Sequence, residues 1–288
     1  MTVTVSAYAK INLFLDVESL RADGYHNILS LMQRISLKDT ISVSAEPAKE
    51  KRIEISCSDP SIPCGEKNLA HKAASIYPIT ANIFISIDKH IPSSAGLAGG
   101  SADAAAVLVA LNEICENKLS VAELCALGAK LGADIPFCIM GGACLVEGIG
   151  DILTATKPMP RFPIVVAKKG EGMSTPAAYH ALDVKYNNFE EYITHKEFLK
   201  KLTSAEDSIT APKYCECLFN IFESVVEPER PDVSLLKQVM ISCGAVGAMM
   251  SGSGTSVFGI FDSEENAATA VDRLKEQGAD AHLCYPQK

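Results

Sequence analysis

Gly96, Gly99 and Gly100 stand close together in IPSSAGLAGGSADAAAVLVALN, residues 91–112, directly ahead of a run of Ala, Val and Leu. Glycine takes backbone angles closed to other residues and lets a ligand approach the main chain. A helix that starts just after such residues leaves its first N–H groups unpaired and carries partial positive charge there. Together these features make an anion site, most naturally for a phosphate; the alternative is a loop whose glycines serve only the helix cap. No Gly-Lys-Ser/Thr follows, and the glycine spacing is not that of the dinucleotide fingerprint. Ser93, Ser94 and Ser101 add hydroxyls suited to a phosphate or to Mg²⁺, although capping also accounts for Ser101. Asp103, in the first turn of the expected helix, complements its dipole.

Lys10 interrupts the apolar run AYAKINLFLDV. Strand alternation puts it on one face with Tyr8 and Asn12, opposite Ala9 and Ile11; that face is either solvated or the wall of a site. Asp134, in LGADIPF, follows the glycine expected to stop a helix, so a turn explains it as well as a site does. Tyr25 and His26 close the turn RADGYHN, either as a solvent loop or as an aromatic face and an imidazole able to hold a planar base. Gly252, Ser253, Gly254 and Thr255 form a second glycine-rich turn, which a hairpin alone would also require. Asn68 reads first as a helix N-cap, and Met249 and Met250 as core.

These residues need elements to place them. Residues 3 to 17, ILSLMQRISL, DTISVSAE, KRIEISC and ANIFISID read as strands. NLAHKAASIY reads as a helix, followed by helices from about Ala102 to Ile114 and over VAELCALGAKL, capped by Ser120 and ended by Gly132. GACLVEG is a short strand. TKPMPRFP, residues 156 to 163, marks the best boundary, with three prolines, and divides the chain into 1–157 and 158–288. Beyond it come a strand at PIVVAKK, helical patterns over 190 to 202, 212 to 224 and 232 to 242, and a strand–turn–strand at GAVGAMMSGSGTSVFGIF. EENAATAVDRLKEQGAD then reads as a helix and AHLCYP as a last strand. Strands and helices mix without strict alternation, which indicates an α+β fold.

Composition narrows the function classes. Hydrophobic residues make up 48% and charged residues 21%, an ordinary globular balance. No apolar run approaches the roughly 18 residues that would span a bilayer, and MTVTVSAYAK lacks the basic and apolar regions of a signal peptide. The ten cysteines are therefore expected as reduced thiols in a cytoplasm. None forms a Cys-x-x-Cys pair, which excludes the usual zinc framework. A net charge of −9 without a Lys/Arg cluster argues against nucleic acid as a partner but not against a phosphorylated small molecule.

Pro92-x-x-x-Gly96-Leu97-Ala98-Gly99-Gly100-Ser101 resembles the phosphate loop of the GHMP kinases. AYAKINLFLDV resembles their N-terminal strand motif, and AMMSGSGTSVFGIF their C-terminal glycine-rich motif, in the same order along the chain. The combination of AKINLFL with RADGYHN, LGADIPFCIMGGACLVEGIGD and GMSTPAAYHAL resembles the branch acting on a cytidine-diphosphate-linked methylerythritol, and the likeness covers roughly residues 5 to 262. It departs at Ala102, where relatives commonly carry a second Ser. In LFNIFESVVEP only Asn220 and Glu223 remain of a family Asn-Asp-Leu-Glu. The segment 184 to 212 matches no family feature.

The resemblance implies two α+β domains, the first like ribosomal protein S5 domain 2 and the second ferredoxin-like. It implies ATP with Mg²⁺, the phosphates lying against Pro92, Ser94, Ala95, Gly96, Leu97, Ala98, Gly99, Gly100, Ser101 and Ala102; it names no protein ligand for the metal. Asp134 would be the base that takes the hydroxyl proton and Lys10 its cationic partner, an arrangement that keeps the carboxylate ionised. Tyr25 and His26 would hold cytosine and Tyr179 would close the base's other side. Asn12, Thr175, Gly252, Ser253 and Gly254 would also line the substrate. The implied reaction phosphorylates the erythritol 2-hydroxyl in isoprenoid-precursor synthesis. The implied partner is a small molecule, with neither nucleic acid nor membrane, and the chain acts as a monomer or homodimer. Two alternatives remain open at this point: a kinase of another small alcohol, such as homoserine or mevalonate, or a catalytically silent nucleotide sensor on the same fold.

Overall fold

The computed structural model describes all residues from Met1 to Lys288. In chain order the elements are β1 (Thr2–Leu20), β2 (His26–Pro47), β3 (Arg52–Cys57), α1 (Leu69–Ile76), β4 (Ala81–Asp88), α2 (Gly99–Ile114), α3 (Val121–Ala129), α4 (Asp134–Met140), β5 (Ala143–Glu147), β6 (Ile152–Thr156), β7 (Ile164–Lys168), α5 (Thr175–Lys185), α6 (Lys196–Thr203), α7 (Ala211–Cys215), β8 (Phe219–Asn220), α8 (Glu223–Val226), α9 (Pro231–Ser242), β9 (Gly247–Met250), β10 (Val257–Ile260), α10 (Glu264–Glu276) and β11 (Asp280–Cys284). No helix is long and apolar enough to cross a membrane. The chain forms two compact units, and β1 and β2 each run from one into the other.

One unit comprises Met1–Ala9, Lys38–Ser93 and Ala98–Gly141. Here β4 pairs antiparallel with Thr40–Pro47 of β2 and parallel with β3. Alternation along β4 buries Ala81, Ile83, Ile85 and Ile87 and exposes Phe84, Ser86 and Asp88, the pattern of a sheet with one covered face. α2 packs against α1 and α4, and α4 against α3. The alanines of α2 (102, 104, 105, 106, 110) and of α1 (70, 73, 74) are buried, and such small side chains let helix axes approach closely. Asn68 caps α1 by accepting from Ala70 N at 2.8 Å, and Ser120 and Glu123 form a capping box on α3, as their sequence contexts indicate.

α2 begins at Gly99, three residues before the start read from the sequence. Its N-cap is Ala98, in the left-handed region at φ 58° with no side-chain cap, so Ser101 does not cap it. The glycine at 99 serves close packing instead: a methyl group there would stand 3.0 Å from Lys89 Nζ and from the Ile91 side chain.

The other unit comprises Lys10–Leu37, Ser94–Leu97 and Gly142–Lys288. Its four-stranded sheet has the order β11-β7-β10-β9, every pair antiparallel. Numbered along the chain, this is strand order 4-1-3-2. With α9 before β9 and α10 between β10 and β11, it is the ferredoxin-like βαββαβ arrangement that the resemblance implies. α9 and α10 cover the sheet with Val233, Leu236, Val239, Met240, Ala267, Ala270, Val271 and Leu274. Met249 and Met250 are core, as expected. In the same unit β5 pairs with Ser30–Gln33 of β2 and with β6.

The helical pattern over 212 to 224 breaks into α7, β8 and α8. Phe219 and Asn220 pair in parallel with Phe14 and Leu15 of β1, so a tertiary strand pairing overrides local propensity there.

Candidate active site

Lys10 lies on the β1 face that alternation gives it, and that face is not solvated: the residue is 3% exposed. Its Nζ donates to Asn12 Oδ1 at 2.7 Å, Asn12 Nδ2 donates to Ser30 Oγ at 2.8 Å, and Ser30 Oγ donates to Phe14 O at 2.7 Å. This buried relay fixes the direction of the ammonium, whose burial demands polar partners.

Both glycine-rich stretches converge on that ammonium. Lys10 N donates to Leu97 O at 3.1 Å, and Ser256 N to Ala95 O at 3.2 Å. Ser251 Oγ donates to Gly96 O at 3.0 Å and accepts from Asn12 N at 3.3 Å. Gly96 has φ 73°, and a methyl group on it would fall 2.1 Å from Ser251 O; no other residue fits there. Gly252, at φ 61°, lies so near that its methyl would meet Gly96 O at 3.1 Å and Lys10 Nζ at 3.4 Å. The turn is thus more than a hairpin connection. Thr175, the first residue of α5, brings its Oγ1 within 3.0 Å of Ser253 Oγ. Ahead of it, Thr255 Oγ1 donates to Glu171 O at 3.4 Å, so Asn12, Thr175 and Glu171 each contact the 251–255 turn.

Asn220 and Glu223 support this turn from behind. Asn220 Nδ2 donates to Met250 O at 2.8 Å and to Gly252 O at 2.9 Å, while its Oδ1 accepts from Phe222 N at 3.0 Å. Glu223 Oε1 accepts from Met250 N at 2.8 Å and from Lys237 Nζ at 2.9 Å. Burial raises the Glu223 carboxyl above the ordinary range, against the opposing pull of Lys237.

At the other end of the glycine stretch, Ala98 to Ala102 lead into α2. Here Asp103 does not serve the helix dipole as an exposed first-turn acid. It is buried and paired at 3.1 Å with Lys89 Nζ, which also binds buried Asp39. Asp39 Oδ1 accepts from His90 N at 2.5 Å and Ile91 N at 2.7 Å, holding the chain just before Pro92. Two carboxylates share one ammonium, and Asp103 Oδ1 has no hydrogen-bond partner. Burial pushes the Asp103 carboxyl up to about 7, Lys89 opposing and Asp39 reinforcing the rise. Sequence reading missed Asp39 and Lys89, which carry no spacing signal.

Asp134 is the first residue of α4 rather than part of a turn. Its charge complements the positive helix end, and it is half-buried.

Tyr25 and His26 differ in setting. Tyr25 is 62% exposed, presented by a turn in which Tyr25 N donates to Asp23 Oδ1 at 3.1 Å and Arg21 N to Tyr25 O at 2.8 Å. His26 is buried against α5, its ring stacked on Tyr179 with centroids 4.6 Å apart. A base therefore cannot lie between those two rings.

Residues 67–142 match the N-terminal domain of the GHMP kinases and residues 194–280 match their C-terminal domain. The 4-diphosphocytidyl-2-C-methyl-D-erythritol kinase of Clostridium botulinum (strain Eklund 17B / Type B) is 40% identical over 98% of this chain and 99% of its own. That of Caldicellulosiruptor bescii is 42% identical over 94% and 93%. A crystal structure of 4-(cytidine 5'-diphospho)-2C-methyl-D-erythritol kinase superposes with a TM-score of 0.80 at 30% identity, covering 99% of this chain and 100% of that one. The chain belongs to the 4-diphosphocytidyl-2-C-methyl-D-erythritol kinase family of ATP-dependent kinases.

Proposed function

We infer that this protein transfers the γ-phosphoryl group of ATP to the 2-hydroxyl of 4-diphosphocytidyl-2-C-methyl-D-erythritol, a step toward isoprenoid precursors. Relatives bearing that name at about 40% identity along nearly the whole chain support the substrate. The observation that carries the chemistry is the convergence of Gly96, Gly252 and the Lys10 ammonium. Such a grouping offers main-chain donors and a fixed positive charge to a phosphate, which is what phosphoryl transfer asks of a protein.

Asp134 takes the proton of the attacking hydroxyl. The hydroxyl oxygen bonds to the γ-phosphorus, the bond from that phosphorus to the bridging oxygen breaks, and ADP leaves. Lys10 stabilises charge on the oxygens as bonds change. The donors around the glycine stretch, Ser94 and Ser101, are hydroxyls, and no group of three His, Cys, Asp or Glu is placed to hold a metal ion. That set fits Mg²⁺ carried chiefly by the nucleotide's own phosphates, with Ser94 and Ser101 as the side chains that would reach it; the ion, when bound, neutralises phosphate charge. Tyr25 stacks on the cytosine, His26 meets its edge and Tyr179 lies on the other side. Asn12, Thr175 and Ser253 contact the alcohol end. The partner is a small molecule, and a net charge of −9 offers nucleic acid no footprint.

A coupled ADP-release assay tests this reading. ADP should appear with the cytidyl substrate and not with homoserine or mevalonate; turnover confined to either of the latter would overturn it.

A further inference from the structure

Asp183 follows Tyr179 by one turn on α5, so both side chains reach the same neighbour. That neighbour is His26. Asp183 Oδ1 lies 2.6 Å from His26 Nε2, Tyr179 covers one face of the imidazole, and Phe189 stands edge-on at 5.8 Å. The side chain is 7% exposed, so the plane of the imidazole is set by packing. A carboxylate only accepts, so the hydrogen of this pair sits on Nε2. With Nε2 committed, Nδ1 is the ring nitrogen available to a ligand, and in the neutral ring it carries a lone pair.

We propose that Asp183 is a positioning residue that selects the substrate's base through the His26 tautomer. Resting on the substrate reading above, the proposal extends it from what binds to what is refused. Cytosine presents an amino donor at its 4-position, where uracil presents a carbonyl acceptor. Nδ1 held as an acceptor complements the first and opposes the second. A site built around one such hydrogen bond rejects the analogue that cannot make it.

The experiment measures ADP release with 4-diphosphocytidyl-2-C-methyl-D-erythritol and with its uridine counterpart. It compares wild type, Asp183→Asn, Asp183→Glu, His26→Ala and the double variant Asp183→Asn/His26→Ala. The asparagine is isosteric, and its amide can donate to Nε2, which moves the ring hydrogen to Nδ1. Asp183→Asn should lower the cytidine-to-uridine ratio of kcat/KM by about tenfold or more, chiefly through the KM of the cytidyl substrate, with the KM for ATP within about twofold of wild type. Asp183→Glu, which keeps an acceptor, should restore part of the preference. His26→Ala should lose the preference, and adding Asp183→Asn should then change it no further. A wild-type ratio in Asp183→Asn would overturn the proposal, as would an equal loss on both substrates with a raised KM for ATP. A wild type that turns over neither nucleotide substrate would sink the substrate reading and this proposal with it.

Discussion

The Lys10 ammonium and Gly252 are in such close register that a single methyl group on the glycine would touch Nζ at 3.4 Å. Lys10 sits on β1 and Gly252 on the turn after β9, and Gly96 closes the group from the loop ahead of α2. Each glycine occupies the left-handed region, where only the absence of a side chain avoids strain.

Gly96→Ala should be the more damaging of two alanine substitutions. Its methyl would fall 2.1 Å from Ser251 O, a backbone atom, whereas Gly252→Ala meets Gly96 O at 3.1 Å. Gly252→Ala is expected to cost about 1–2 kcal/mol in stability and to reduce kcat roughly 10-fold or more by moving the turn off Lys10. Urea unfolding and steady-state kinetics check both; wild-type kcat in Gly252→Ala would show that the turn's position does not matter.

Asn220→Ala tests the support beneath that turn. It strips partners from Met250 O, Gly252 O and Phe222 N in a buried setting. Each group left unsatisfied costs about 1–3 kcal/mol, so a loss of about 3 kcal/mol or more is expected in chemical denaturation. Asn220→Asp should not rescue it, since a carboxylate cannot donate to the two carbonyls.

The Asp39–Lys89–Asp103 cluster predicts a pH signature. The Asp103 carboxyl titrates near 7 in the folded chain against 3.8 in the reference state. Between those values the folded protein holds a proton that the unfolded chain has released. Asp103 therefore makes stability fall as pH rises from about 4 to 7, by up to about 1.4 kcal/mol per pH unit. Lys89 is raised and stays charged throughout this window. Asp103→Asn should remove the slope, so its Tm relative to wild type should climb between pH 5 and pH 8. Parallel Tm curves would contradict the assignment.

The sequence announced Lys10 because a charge inside an apolar strand is costly unless it has a task, and it announced both glycine turns because few residues tolerate their backbone. It hid the parts that depend on distance along the chain. Asp39, Lys89 and Asp103 come from β2, the position just after β4, and α2, and nothing in their spacing marks them as partners. Asn220 supports a turn thirty positions away. The start of α4 was masked by Gly132, which reads as a stop, although Asp134 and Pro136 both suit a first helical turn. Within the C-terminal unit the ferredoxin-like order follows from clear strand and helix patterns. The break at 212–224 does not, because a pairing with β1 decides it.

The most direct test of the account is ADP release from ATP and 4-diphosphocytidyl-2-C-methyl-D-erythritol by wild type and Asp134→Asn, with ATP affinity measured on the same samples. If Asp134 accepts the hydroxyl proton, kcat falls about 10²–10⁴-fold while ATP binding is largely kept. Wild-type turnover in Asp134→Asn would remove Asp134 from the mechanism and contradict the account at its centre.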